Sequence, residues 1–152
     1  MLRRNFILVI VSVLFVGLFQ GCMPTTTPFA PKQVKPDKAL VYVYRPESIV
    51  ARGSMWGIKV NGKIVTKNFI NNGYIPIYID AGDAELELFY QQTLFNKLVF
   101  DDITLRDLKA GEVYYVKAFM EFAGSPHFEL KNSDVGAREI SETNYYDYTE
   151  KK

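Results

Sequence analysis

From Ala39 onward, apolar and polar residues alternate with a period near two, and short turn sequences interrupt the alternation at brief intervals. Alternation of this kind is typical of β-strands with one buried face, because successive side chains of a strand point to opposite sides of the sheet. Gly, Pro, Asn and Asp at the interruptions favour tight turns. The pattern predicts an all-β domain of about seven or eight strands, arranged as an antiparallel β-sandwich or a partly closed barrel.

The turn residues predict where individual strands begin and end. The segment ALVYVYRP predicts a first strand that stops at Pro46. Asn61-Gly62, between WGIKV and KIVTKNF, predicts a type I′ hairpin, because both residues accept positive φ angles. Pro76 in YIPIYI predicts a sheet edge or a bulge, because proline has no N–H to donate. Further strands are predicted in AELELFYQ, NKLVFDDITL, EVYYVKAFMEF and HFELK.

The C-terminal part changes character. A serine–aspartate pair at 133–134 precedes VGAREISE, which predicts a capped short helix. Its apolar residues Val135, Ala137 and Ile140 would face the sheet. Gly136 lowers the helix propensity of this segment.

Residues 1–21 have the pattern of a secretory signal peptide. Arg3 and Arg4 precede an apolar run from Phe6 to Phe19, the basic-then-apolar order of export signals. A transmembrane helix needs roughly 20 apolar residues. This run is shorter, so an uncleaved membrane anchor is the weaker alternative.

Cys22 is the only cysteine of the chain and directly follows Gly21. The segment FQGC resembles the lipobox of bacterial lipoproteins, in which a small residue precedes a cysteine that is lipidated and becomes the mature N-terminus. The resemblance implies cleavage between Gly21 and Cys22, with membrane lipid attached through the acylated thiol. Met23 stands where an aspartate would imply retention in the inner membrane, so the resemblance favours the outer membrane of a Gram-negative cell. A free thiol or an intermolecular disulfide is the alternative for a lone exported cysteine.

Residues 22–37 carry four prolines and three consecutive threonines. This composition predicts a lipidated, extended tether that reaches about 3.1 Å per residue, or roughly 45 Å over residues 23–37. A disordered tail is the alternative. The β-sandwich domain is predicted over residues 38–143, and residues 144–152 form a polar, aromatic tail.

Four short motifs follow one another within residues 39–119: VYVYRP, IKVNGK, NNGYIPIYIDAGDAELEL and KAGEVYYVKAF. Their order resembles a family of bacterial lipoproteins with a small β-sandwich domain of unknown function. The resemblance implies a sandwich fold and a location in the cell envelope, and it carries over no activity. A more distant resemblance to β-rich modules beside cell-wall proteins suggests sugar binding, by analogy of fold alone.

The titratable residues offer little for catalysis or metal binding. His127 is the only histidine, and its position near Ser125 predicts turn chemistry rather than a catalytic pair. Asp101 and Asp102 are adjacent on a predicted strand and so point to opposite faces. The carboxylates within residues 80–85 match no complete calcium loop. We therefore predict that the protein is not an enzyme and has no catalytic residue, metal or cofactor.

The mature chain is nearly neutral, so it lacks the excess of basic residues that is typical of nucleic-acid-binding proteins. Candidate contacts for a ligand or partner are Arg45, Trp56, Tyr74 and Tyr78. An arginine can hold an anion bidentately, and aromatic rings can stack on sugars or anchor a protein. Core packing is the alternative for each of them.

Two functions fit these observations. In the first, a lipid-anchored lipoprotein acts as a non-catalytic module that binds an envelope protein or has a structural role. In the second, the module binds peptidoglycan or another glycan. An unpaired strand edge would favour the first, and exposed aromatic rings in a concave surface would favour the second.

Overall fold

The computed structural model describes residues 27–91 and 97–145. The predicted signal peptide and Cys22 lie outside these residues. The described chain consists mainly of strands with one short helix, α1 (Ser133–Ile140). In chain order the strands are β1 (Thr27–Pro28), β2 (Ala39–Arg45), β3 (Trp56–Val60), β4 (Lys63–Phe69), β5 (Gly73–Ile79), β6 (Gly82–Gln91), β7 (Lys97–Leu108), β8 (Val113–Phe119), β9 (His127–Lys131) and β10 (Asn144–Tyr145).

Within the described residues the strands form two sheets that share one core. The first sheet has the order β1-β10-β5-β2-β8-β9, and the second has the order β4-β3-β6-β7. Their facing side chains include Val41 and Val43 from the first sheet and Ile58, Leu86 and Leu88 from the second. The predicted all-β sandwich with a short C-terminal helix is confirmed.

Two strand pairings differ from the antiparallel prediction. β2 pairs in parallel with β8, and β5 pairs in parallel with β10. After β2 the chain passes through β3 and β4 in the second sheet, β5 in the first, and β6 and β7 in the second, before β8 enters the first sheet on the other side of β2. The structure also adds two strands of two residues each, β1 and β10. Alternation identifies strands but carries no information about their neighbours.

The hairpin between β3 and β4 has the predicted turn. Asn61 has φ 48° and Gly62 has φ 76°, the two positive values that a type I′ turn requires. Farther from the turn the register shifts, so that Ile58 lies opposite Thr66. The expected partner of Ile58, Val65, is displaced by this irregularity.

The prediction for Pro76 also holds locally. β5 pairs with β2 along its length, with Pro76 opposite Tyr42. β10, on the other side of β5, pairs only with Gly73 and Tyr74. At Pro76 the sheet therefore continues only on the side of β2. On the other side no strand of the described residues lies beside Pro76, so the missing N–H costs no ladder hydrogen bond there.

A second apolar cluster lies on the outer face of the six-stranded sheet. Its buried members are Leu40, Tyr42, Tyr44, Tyr74 and Ile140. Helix α1 and residues 29–37 cover this face, and all seven residues of β2 are buried. β2 is therefore a central strand with apolar packing on both sides.

Residues 27–37, which are predicted to belong to the tether, contact the outer face of the six-stranded sheet. The ring of Phe29 lies 5.5 Å from the ring of Tyr42 and 5.1 Å from that of Tyr74, and the backbone N–H of Lys32 donates to the Tyr42 hydroxyl at 2.6 Å. This segment is packed because the tyrosine-rich outer face of the sheet must be covered. Residues 22–26 lie outside the described part of the chain.

The N-cap of helix α1 lies one residue before the predicted cap. Asn132 is the N-cap, and its side chain accepts from the backbone N–H of Val135 at 3.0 Å. Ile140 is buried as predicted, but Ala137 is exposed. Gly136 has a packing role, since a Cβ there would lie 2.3 Å from the Cβ of Tyr115. No helix among the described residues is both long and apolar enough to span a membrane.

Candidate interaction surfaces

Arg45, the last residue of β2, is buried, with 2% of its surface exposed. Its guanidinium donates to the carbonyl oxygens of Ala51 at 2.6 Å, Ser54 at 2.7 Å and Phe69 at 3.2 Å. The same group lies over the ring of Trp56 at 3.5 Å from its centroid. The Arg45 guanidinium therefore binds the protein's own backbone. It is buried, so an anionic ligand would not contact it.

The Arg45 contacts order the loop formed by residues 46–55. The backbone N–H of Ser48 donates to the Asn71 side chain at 3.1 Å, which ties the loop to the turn before β5. Ala51 adopts a left-handed conformation, φ 55°. The loop presents Ile49 with 91% of its side chain exposed. A large apolar residue is thus held in water by a braced loop.

The other three predicted contact residues are also engaged in contacts within the protein. Trp56 and Tyr74 are 2% and 1% exposed. Tyr78 is half-buried; its hydroxyl donates to the Gln33 carbonyl at 2.7 Å, and Lys35 lies over its ring at 4.4 Å. Core packing describes these residues better than sugar stacking.

His127 lies at the start of β9 in a turn contact. Its Nδ1 is 3.2 Å from the carbonyl oxygen of Ser125, not from the hydroxyl, and its ring lies 4.0 Å from the ring of Phe119. A Ser–His catalytic pair needs the hydroxyl in that position. The geometry agrees with turn chemistry.

Asp101 joins the two sheets. It lies opposite Leu88 in the ladder, whereas Asp102 lies opposite Glu87, so the two aspartates face opposite sides as predicted. The Asp101 carboxylate accepts from the backbone N–H of Phe128 at 2.7 Å. This bond closes the side of the sandwich where β7 and β9 meet. In residues 27–91 and 97–145 no group of three or more His, Cys, Asp or Glu side chains is arranged to hold a metal.

A polar cluster between α1 and the first sheet is not predicted from the sequence. The Tyr44 hydroxyl donates to Glu139 at 2.7 Å, and Lys117 lies 3.0 Å from the same carboxylate. A cavity of about 280 Å³ opens beside Lys117 and Glu139, with Glu47 and Glu142 also in its lining. The position of Tyr44 on the outer face of its strand was the available sequence signal, because α1 packs on that face.

The protonation behaviour of this cluster is unlike that of an acid–base site. Burial, then the hydrogen bond to Glu139 and its charge, raise the pKa of Tyr44 far above its ordinary value. Burial acts to raise the pKa of Glu139, but the hydrogen bonds from Tyr44 and Lys117 outweigh it and hold that pKa below its ordinary value. Both shifts lead away from neutral pH, whereas general acid–base catalysis needs a pKa near it.

Exposed apolar side chains are concentrated at one end of the sandwich. We define the apolar end as the end where β2 and β8 finish and β3 and β9 begin. Six of the eight large hydrophobic side chains that are exposed in the described residues lie there: Ile49, Met55, Tyr90, Leu98, Val99 and Phe122. Ile64 and Leu130 lie on strands toward the opposite end.

A shallow cleft of about 310 Å³ opens at the apolar end between the loops 46–55 and 120–126. Trp56, Tyr90, Phe100 and Met120 contribute to its lining. The register between β6 and β7 shifts beside Phe89, which leaves Phe100 as the extra residue of a bulge. The rings of Tyr90 and Phe100 lie 6.5 Å apart. The alternation of residues gave no indication of this bulge.

β4 forms an open edge of the four-stranded sheet. It pairs with β3, and no other strand among the described residues lies along its outer side. Ile64 in β4 is 49% exposed. The opposite edge of this sheet, β7, instead lies beside β9 and is joined to it through Asp101.

Comparison of the chain with known proteins finds no matching family model, no matching curated protein and no matching solved structure. The resemblance to a lipoprotein family therefore stays a prediction from the sequence motifs.

Proposed function

We propose that the protein is a lipoprotein of the cell envelope, held on the outer membrane of a Gram-negative bacterium through an acylated Cys22, and that its sandwich is a non-catalytic module that binds an envelope protein or has a structural role. The lipid anchor is supported by the FQGC segment and the apolar run before it. Acyl chains on a single cysteine give durable binding when two or more are attached.

The observation that carries the interaction role is the open edge of β4. The outer side of an edge strand presents backbone N–H and C=O groups that can pair with an added strand from another protein. β4 has seven residues and a half-exposed isoleucine at position 64. An extended segment of a partner can therefore add to the sheet here and pack a side chain on Ile64.

Two observations favour this role over the alternatives. The Tyr44–Glu139 cluster has both pKa values shifted away from neutrality, which supports a structural rather than a catalytic function. The candidate sugar-stacking residues Trp56 and Tyr74 are buried, which supports a protein partner over a glycan.

A crosslinking experiment in intact cells tests the proposal. A photo-crosslinking amino acid replaces Ile64 on the β4 edge, and a matched variant carries it at Leu130 on β9, because both side chains are 49% exposed. We expect one envelope protein in the adduct from position 64 and none from position 130. Mass spectrometry identifies the adduct.

The Cys22→Ser variant is the localisation control. Loss of the adduct in this variant supports a partner that meets the protein at the membrane. Recovery of muropeptides alone would favour the glycan-binding alternative, and equal adducts from positions 64 and 130 would contradict the role of the β4 edge.

A further inference from the structure

The described chain begins close to the apolar end. Thr27 lies opposite Tyr145, Tyr145 lies opposite Tyr74, and Tyr74 lies opposite Tyr44. Adjacent strands are about 4.8 Å apart, so about 14 Å of sheet separates Thr27 from Tyr44. Tyr44 directly precedes the last residue of β2. Thr27 is therefore about one residue from the apolar end, measured along the strands.

The connection from Thr27 to Cys22 is short. Residues 23–26 separate them, and a chain of this length reaches at most about 18 Å even when fully extended. Along β2, the level of Thr27 is about 17 Å from Ala39, and the turns that close the opposite end add to that distance. A bilayer that contains the acyl chains of Cys22 can therefore meet the apolar end, which is the nearer of the two ends to Thr27.

The side chains at the apolar end suit a lipid surface. Ile49 and Phe122 are 91% and 90% exposed and project from separate loops on either side of the cleft. A fluid headgroup region accepts such separate projections, whereas a folded protein partner needs a matching pocket for each of them. Tyr90 lies between the two loops, and tyrosine is enriched at the level of lipid headgroups.

The loop that carries Ile49 is already ordered for this contact. Arg45 holds the carbonyls of Ala51 and Ser54, and the Glu47 and Arg52 side chains in the same loop form an ion pair at 2.6 Å. Their charges compensate each other near the isoleucine. Contact with lipid therefore requires little additional ordering of the loop.

We infer that the apolar end docks on the bilayer surface, with Ile49 and Phe122 in the boundary between headgroups and acyl chains. This inference rests on the proposed acylation of Cys22. In this orientation β4 runs from the opposite end toward the membrane, and its open edge faces sideways. The β4 edge thus stays accessible to a protein partner.

Depth-dependent quenching tests the docking on the full acylated protein, reconstituted in vesicles of phosphatidylethanolamine and phosphatidylglycerol. Acylation occupies the only native thiol, so one added cysteine carries a fluorophore at a single position. The variants Ile49→Cys and Phe122→Cys report on the apolar end, and Ile64→Cys is the control on an exposed residue elsewhere. We expect nitroxide-labelled lipids to quench positions 49 and 122 several-fold more than position 64.

Flotation of the same samples separates failure of the anchor from failure of the docking. If the acylated protein floats with the vesicles but all three positions are quenched equally weakly, the docking is overturned and the anchor stands. If it does not float, as expected for the Cys22→Ser control, both are overturned. Weak quenching together with protein adducts at positions 49 and 122 in cells would assign the apolar end to a protein partner and overturn the lipid contact.

Discussion

The guanidinium carbon of Arg45 lies 3.5 Å from the centroid of the Trp56 ring. Arg45 ends β2 in the first sheet and Trp56 begins β3 in the second, so the stack joins the two ends of the loop 46–55. Three backbone carbonyls accept hydrogen bonds from the same guanidinium. One buried cation thus connects the two sheets and shapes the loop that presents Ile49.

We expect Arg45→Ala to lower the free energy of unfolding by about 2–4 kcal/mol, because carbonyls lose their donors and a cavity remains over Trp56. Arg45→Lys would recover only part of this loss, since lysine lacks the planar fork. Urea unfolding measures both variants. Arg52→Ala in the same loop is the control, and removing its exposed ion pair would change the free energy by less than about 1 kcal/mol. Equal losses for Arg45→Ala and Arg52→Ala would contradict the bracing role.

The sequence predicts features of the fold that depend on neighbouring residues. The end of β3 and the start of β4 follow from Asn61-Gly62, because the turn type depends on the two residues within it. The parallel pairing of β2 with β8 is not predictable in this way, since the alternating pattern contains nothing about partners distant in sequence. The run ALVYVY carries one further signal, because a nearly continuous apolar strand is typical of burial on both faces.

Candidate site residues were harder to predict than strands. Arg45, Trp56 and Tyr74 are candidates by residue type, but their burial depends on the loop 46–55 and on residues 29–37, whose packing leaves no periodic pattern. The sequence pattern also does not predict the apolar end. The loops that carry Ile49 and Phe122 border the same cleft only because β2 and β8 pair in parallel and finish at the same end of the sandwich.

Gly57 in β3 allows the ring of Phe89 to lie against the backbone, since a Cβ at position 57 would be 2.2 Å from that ring. We expect Gly57→Ala to lower the free energy of unfolding by about 1–3 kcal/mol through overpacking. Phe89→Leu in the same chain would restore part of the loss by making room. Gly53→Ala, where no atom lies within 4 Å of the added Cβ, is the control and would be nearly neutral. Chemical denaturation of the wild type and these three variants measures the effect, and a neutral Gly57→Ala would contradict it.

Gly136 sets the distance between α1 and β8. Alanine ordinarily favours a helix over glycine by about 1 kcal/mol, but here a Cβ would lie 2.3 Å from Tyr115. We expect the clash to dominate, so that Gly136→Ala lowers the melting temperature by several degrees and increases amide hydrogen exchange in α1. A raised melting temperature would show that helix propensity dominates and that the helix moves away from Tyr115 at little cost.

Glu139 makes the stability of the fold depend on acid pH. Its pKa in the folded protein is below its usual value of 4.5, because the hydrogen bonds from Tyr44 and Lys117 outweigh the effect of burial. The stabilisation is therefore present above that usual value and is lost as the pH falls through the lower pKa of the folded state. We expect Glu139→Gln to cost about 1–2 kcal/mol at pH 7 and progressively less toward pH 3. Unfolding curves measured over this range for the wild type and the variant test the expectation, which a constant difference between them would contradict.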